Sequence, residues 1–505
     1  MSDRIAQLAT DFTELFNAFY RAPKYHVAFE LMLLLWVMWL ILFRKPKPIE
    51  RRLTEEEREE LIAEWKPEPL VPCEQSGDDS EETPLYMTRQ IEGPVGHIVT
   101  VDKQACVNFA TFNFLDLVGS ERITKVAIAA VEKYGVGACG PRGFYGTIDI
   151  HLELEKRIAD IMNVEEAVLY SYAFSTLSSV IPAYAKRGDV IFADRCINYA
   201  LQKGIQASRS TVFFFNHNDM HDLTRLLEEQ RARDQSNSRK AKVTRRFVVV
   251  ESLYYNTGLV CPLTDIIDLR KEHKFRLILD ESLSFGVLGE NGFGLCELMN
   301  VDRKRDVDIL CGSLEYALGS IGGFSCGSSY VVDHQRLSSL GYCFSASLPP
   351  LLAASALEAI NFLQSDYGRQ QLQKLRSLSQ YLHRNLLTIS ELEVIGESFS
   401  PVKHIKLSKN NYRKEFKILE NWAKFHVNIL DKIVMFAQSQ RILLTRCSHL
   451  PDDSGSDMFG TIRITVSIAC SEEEINTLCL VLRRSLIEIS KIHNGSSDND
   501  RLKSD

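Results

Sequence analysis

A chain of 505 residues, 45% hydrophobic and 25% charged, has the composition of a globular protein with a sizeable core and is too long for one small domain. Its formal net charge of −7 gives no global electrostatic reason to bind nucleic acid. The twelve cysteines include no CxxC pair or zinc-finger spacing, so neither a metal site nor a disulfide framework is indicated, and the bulk of the chain is expected in a reducing compartment.

In residues 1–26, Ile5, Leu8, Phe12, Leu15, Phe16 and Phe19 recur at helical spacing, as in an amphipathic helix lying on a membrane surface or packed on a partner's helix. Residues 27–43 are apolar except for Glu30 and uninterrupted from Leu31 to Phe43. At about 1.5 Å per residue they span a thin bilayer such as that of the endoplasmic reticulum, and one transmembrane helix is predicted; a buried core helix is the alternative. Arg44, Lys45, Lys47, Arg51 and Arg52 follow directly, whereas Arg4, Arg21 and Lys24 before the helix are offset by acids, so the positive-inside rule places the C-terminal bulk in the cytosol.

Residues 44–84 read as a charged helix and a linker. Thr54 with Glu57 has the form of a capping box, predicting a helix from there to Trp65 that Pro67 and Pro69 terminate. Residues 72–84 are rich in Asp, Glu, Ser and Gly, a linker composition.

From 85 to 345, short apolar runs alternate with helical patterns, at 167–170, 190–193, 212–215, 247–251, 277–280, 307–311 and 324–332. That alternation predicts an α/β domain with a mostly parallel sheet, in which ligands sit beyond the carboxyl ends of the strands, where Asp280 and Glu281 fall. The polar, basic stretch 231–246 reads as an exposed loop insertion. Residues 346–494, mainly helical with a strand signal at 461–468, suggest a smaller C-terminal α+β domain, and 495–505 a polar tail.

The chemistry-bearing residues concentrate in a few segments. Tyr134 to Gly137, Gly140 to Gly143, Gly146, Thr147, His151, Leu154 and Glu155 form a dense glycine-rich stretch opening a helix, which taken alone indicates only tight turns. Further on come Asn113 to Leu115, Gly204, His217 to Asp219, Asp280 and Glu281 with Gly286, Leu288, Gly289, Gly292 and Gly294, then Gly319, Gly322, Gly323, Phe344 to Pro350 and Arg463. In this order and spacing, over residues 105–480, the chain resembles the α-oxoamine synthases, fold type I pyridoxal-phosphate enzymes that condense an amino acid with an acyl thioester.

The resemblance implies a role for Asp280 as the acid pairing with the pyridine nitrogen of the cofactor. It also exposes three departures. Tyr316 stands where the family's Schiff-base lysine would be, and a phenol cannot form that linkage or take the substrate proton as an amine does. Leu283 replaces a histidine near the cofactor hydroxyl, and Asn198 replaces the ring-stacking histidine, whose aromatic face an amide lacks. With three roles lost, Asp280 reads as vestigial, Arg463 as structural, and the chain as lacking catalytic residues of its own. What the family then implies is a heterodimer with a lysine-bearing catalytic homologue that binds pyridoxal phosphate covalently. This chain would contribute to the partner's pocket through Phe344, Ser345, Ala346 and Ser347 and, from the glycine loop, Cys139 and Arg142. Small membrane regulatory subunits fit such an assembly. A membrane scaffold that adds nothing to the active site, and an active homodimeric synthase, are the competing readings.

Overall fold

The computed structural model describes residues 23–43, 54–65, 89–408, 419–447 and 460–501. The expected amphipathic segment before residue 23, the basic cluster from Arg44 to Arg52 and the linker at 72–84 lie outside the described residues. The chain divides into two compact units, Met1–Met87 and Thr88–Asp505.

In the first unit, Lys24–Leu42 is a 19-residue helix with mean hydropathy 1.9 and no buried residue. It is apolar on every side, which in water would be costly and in hydrocarbon is favourable, and its length is enough to cross a membrane. A second helix, Glu55–Glu64, begins with both arms of the capping box: Thr54 Oγ1 accepts from the Glu57 amide at 3.3 Å, and Glu57 Oε2 accepts from the Thr54 amide at 3.0 Å. Trp65 ends it as expected.

The second unit is built on three sheets. Strands β1 (Ile91–Glu92), β2 (Ile98–Val101) and β3 (Gln104–Asn108) form an antiparallel set. The central sheet holds β4 (Glu166–Tyr170), β5 (Val190–Asp194), β6 (Thr211–Phe215), β7 (Arg246–Glu251), β8 (Arg276–Asp280), β9 (Ile309–Ser313) and β10 (Gly323–Gly327), in the order β4-β10-β9-β8-β7-β5-β6. Strands β5 to β9 pair in parallel, and β10 alone runs antiparallel to its neighbours. The third sheet takes β11 (Leu392–Ile395), β12 (Val402–Leu407), β14 (Thr445–Cys447) and β15 (Thr461–Thr465), while β13 (Ile442–Leu443) pairs with β3. The C-terminal half thus closes on the first strands of the unit, a pairing that no local signal announced.

Every residue of β5 and β9 is buried, as are all but the first of β7 and β8. Helices cover both faces, which is why these strands read as continuous apolar runs without alternation. Two expectations fail. The run 324–332 is a strand only to Gly327; Ser329–Ser338 is a helix that buries Val332 and Gln335, so its apolar residues mark a helix face that a short window cannot distinguish from a strand. The stretch 231–246 is no loop: the helix Met220–Ser236 runs through its first part, and Asn237 caps a short second helix, Ser238–Ala241. The helix buries Leu223, Leu226 and Leu227 before the stretch begins, and Arg246 pairing with Asp234 ties the polar part to it.

Candidate functional site

Parallel strands end at a common edge, and here the edge is acidic. Asp194 closes β5, Glu251 closes β7 and Asp280 closes β8, with Glu251 and Asp280 in direct register. Beyond Glu251 and Asp280 lies a cavity of about 520 Å³. Burial raises the pKa of both carboxylates, and charge repulsion adds to it, from Asp280 at Glu251 and from Glu281 at Asp280. Asn198 bridges them: its amide N–H donates to Glu251, and its side-chain Nδ2 donates to Asp280 at 2.9 Å. The same residue caps the helix Tyr199–Ser208 through Oδ1, 3.0 Å from the Leu201 amide. Asn198 is therefore fully engaged in holding two acids and a helix end. Asp194 is enclosed separately, with His217 Nδ1 at 2.9 Å and the amides of Cys196 and Asn218 on its oxygens. Among the described residues this trio of Asp194, Cys196 and His217 is the one group with metal-ligand geometry, and these hydrogen bonds already engage its carboxylate and imidazole.

Tyr316 and Leu283 both line the cavity. The Tyr316 ring lies edge-on to Phe112 with centroids 4.8 Å apart, and burial raises its phenol pKa further. The glycine and acid motif after β8 holds the loop that faces it. Glu281 accepts from the Leu295 and Cys296 amides at 2.7 and 3.0 Å, and a Cβ at Gly286 (φ +79°) would lie 2.4 Å from that of Ala317. Arg463 stacks over Phe112 at 4.1 Å and donates to the Tyr255 hydroxyl at 2.6 Å and to the Ala110 carbonyl at 3.0 Å. It stands behind Tyr255 and does not line the cavity, consistent with a structural role.

Pyridoxal phosphate requires an amine for its covalent link, an acid at its ring nitrogen and donors for its phosphate. Asp280 meets the second need. Tyr316 fails the first. For the third, the helix Ala173–Tyr184 does point its N-terminus at the cavity, but Glu315 Oε1 already lies 3.3 Å from the Ala173 amide, placing a carboxylate where an anion would go. The residues of this chain do not fit the cofactor. Glu315 and Glu251 escaped the sequence reading because each is an isolated acid without a motif; the one available signal was that both end or follow a predicted strand.

The glycine-rich segment and the residues before Pro350 meet along a seam. Ser347 donates its amide to the Gly140 carbonyl at 3.0 Å, and His151 Nε2 donates to the Leu348 carbonyl at 2.6 Å while its Nδ1 accepts from the Ile148 amide. Ser171 Oγ donates to the Ala346 carbonyl, and Ser345 Oγ to that of Gly341. A Cβ at Gly146 would lie 2.0 Å from the Gly140 oxygen, so only glycine fits there. Arg142 points inward: both terminal nitrogens bond Glu155, at 2.8 and 3.0 Å, and both side chains are buried. Around this anchored frame, Cys139 and Tyr145 adopt left-handed backbone (φ +59° and +63°), and Phe144, Tyr145 and Phe344 are exposed. Ser347 Oγ is buried without a hydrogen-bond partner.

Residues 104–482 match the aminotransferase class I and II family. Serine palmitoyltransferase 1 of Dictyostelium discoideum is 41% identical over 458 residues, covering 90% of this chain and 92% of that protein. The chain belongs to the serine palmitoyltransferase 1 family. Long chain base biosynthesis protein 1 of Arabidopsis thaliana is 39% identical over 90% of each chain, and serine palmitoyltransferase 1 of Saccharomyces cerevisiae 32% identical over 89% of this chain and 87% of its own. Among solved structures, a serine palmitoyltransferase variant from S. paucimobilis with a bound PLP-myriocin aldimine superposes with TM-score 0.69 at 20% identity, covering 80% of this chain and 93% of that one. The 8-amino-7-oxononanoate synthase of Francisella tularensis gives 0.58 at 18% identity over 76% and 99%. At those identities the structures establish the fold, that of fold type I pyridoxal-phosphate enzymes.

Proposed function

We propose that this chain is the non-catalytic but required subunit of serine palmitoyltransferase, which condenses L-serine with palmitoyl-CoA to 3-ketodihydrosphingosine in the first step of sphingolipid biosynthesis. The observation that carries the reading is the pairing of a replaced cofactor pocket with a kept seam: Tyr316 and Glu315 stand where the cofactor would be held, while residues 137–147 and 344–350 remain locked together. The resemblance in the segments 65–72, 139–146 and 342–350 supports the same subunit. A lysine-bearing homologue would bind pyridoxal phosphate covalently, and this chain would complete its pocket across the interface. The exposed Phe144, Tyr145 and Phe344 offer that homologue an apolar contact, and the resemblance brings the segment Phe344, Ser345, Ala346 and Ser347 to the phosphate it holds. Cys139 and Ser345 lie along the same seam, with Arg142 as the residue that holds it in shape.

The Lys24–Leu42 helix supports membrane anchoring, and the basic residues after it in the sequence support a cytosolic orientation at the endoplasmic reticulum. The test is purification of the tagged full chain from membranes. A lysine-bearing homologue should come down in stoichiometric amount, carry the borohydride-reducible cofactor adduct on its own lysine, and lose serine-dependent condensation when this chain is removed. An adduct on this chain, or full turnover of the homologue alone, would refute the proposal.

A further inference from the structure

The cavity at the strand ends remains open, and the charge in its lining is of one sign. Three carboxylates face it: Glu251 and Asp280, both 2% exposed, and the half-buried Glu315. Among the described lining residues there is no Lys, Arg or His. The walls are aromatic, with Phe174 and Tyr199 at 6.3 Å between centroids on one side and Tyr255 and Tyr316 at 6.3 Å on the other. Two cations stand outside the lining against its rings: the Lys203 ammonium, 4.8 Å from the Tyr199 ring centre and bonded to Gln206, and the Arg463 guanidinium, 5.2 Å from that of Tyr255 and bonded to the Ala110 carbonyl. Ser282 also lines the cavity, is 5% exposed, and has its Oγ buried beside Asp280 without hydrogen-bonding geometry to any partner.

We infer that this cavity binds a small organic ammonium ion with an apolar or aromatic body. Buried carboxylates unneutralised by any lining cation favour a positive group between them, and the faces of tyrosine and phenylalanine rings attract cations by their quadrupoles. The Ser282 Oγ beside Asp280 can accept one ammonium hydrogen while the acids take the others. A volume of about 520 Å³ lies within the range of roughly 300–1,000 Å³ usual for small-molecule sites. The anion that the fold would otherwise admit is excluded by Glu315 at the N-terminus of the helix Ala173–Tyr184, because a bound phosphate would face a carboxylate. The acids gain as well: Glu251 and Asp280 each hold their protons more tightly than usual because of burial first and a neighbouring charge second, and a bound cation relieves both. This inference concerns the chain's own pocket and does not rest on its being a subunit of any particular enzyme.

The experiment is calorimetric titration of the purified full-length chain in detergent with 2-phenylethylammonium, alongside 2-phenylethanol as the neutral analogue, 3-phenylpropionate as the anion, and pyridoxal phosphate. Saturable heat is expected from the ammonium alone. Glu315→Gln, which keeps the hydrogen bond to Ala173 and removes the charge, and Asp280→Asn should each weaken it by about tenfold, the scale of one charge-assisted contact. If Asp280→Asn loses its cooperative melting transition, Glu315→Gln still decides, since Glu315 stands at the half-buried rim. Saturable binding of either anion or of the alcohol as tight as the ammonium overturns the inference. So does absence of saturable ammonium binding up to about 10 mM, or unchanged affinity in Glu315→Gln.

Discussion

The cavity at the strand ends and the seam between residues 137–147 and 344–350 are built from different materials. The cavity is made of side chains, and Tyr316, Leu283 and Asn198 in its lining offer no amine and no imidazole. The seam is made of backbone shape. Gly146 admits no Cβ, Ser347 bonds Gly140 through the main chain, and the Arg142–Glu155 pair fixes the loop from beneath. A side chain can be exchanged with the fold intact wherever its replacement fills the same space. A backbone that threads within 3 Å of another backbone cannot be altered piecemeal. Under the proposed function, this is why one region could lose its chemistry while the other continues to shape a partner's site.

The largest effect should come from undermining the seam. Arg142→Ala leaves Glu155 buried and unpaired, and is expected to destabilise the folded unit by about 3–5 kcal/mol, measured by urea unfolding of the full chain. A loss under about 1 kcal/mol would mean that the loop is held by its backbone alone.

A milder perturbation tests whether the seam reaches the partner. Ser345→Phe should leave assembly intact on size-exclusion chromatography while lowering condensation by roughly 10–100-fold or shifting selectivity among amino acids, the scale of misplacing reacting groups by about 1 Å. Unchanged kinetics in an assembled complex would favour the scaffold reading.

A pH scan separates a third structural contact from the cavity. His97 bonds Glu474 at 2.9 Å, and contacts with Cys470 first and Glu474 second raise its pKa from 6.5 to about 9. Because the folded value lies above the unfolded one, its stabilising contribution is complete below pH 6.5 and lost as pH rises through about 9. Asp280, raised by burial from 3.8 to about 6, also weakens the fold as pH rises, but on the acid side of that window. The melting temperature of the full chain should therefore fall between pH 6.5 and 9, and His97→Gln should flatten that fall while leaving the acid-side change in place.

The smallest effect expected is none. Tyr316→Lys restores an amine, yet Leu283, Asn198 and the Glu315 carboxylate remain, so the variant chain alone should show no condensation above background by radiolabelled serine incorporation. Measurable turnover would show that the cavity is one substitution from activity and would erase the contrast with the seam.

Much of this was legible in the sequence. The capping box at Thr54, the apolar helix and the buried strands at 190–193, 247–251 and 277–280 all depend on residues close together in the chain, whose periodicity or identity is visible locally. The helix after Gly327 was misread because a few apolar residues in succession satisfy either period, and the stretch 231–246 because the apolar residues that secure its helix, Leu223, Leu226 and Leu227, lie before it.

What the sequence by itself determined is the family, the fold class and the absence of an amine at residue 316, since each is a property of residue identity and order. Tertiary structure alone decided that Asn198 bridges two acids, that Arg142 is turned inward to Glu155, that β13 returns to pair with β3, and that Glu315 stands at a helix N-terminus. Those facts depend on groups up to hundreds of residues apart being brought within hydrogen-bonding distance. Burial then changes what each group can do: a carboxylate that would be an ordinary anion in water becomes, beside another acid and away from solvent, a site that favours a cation.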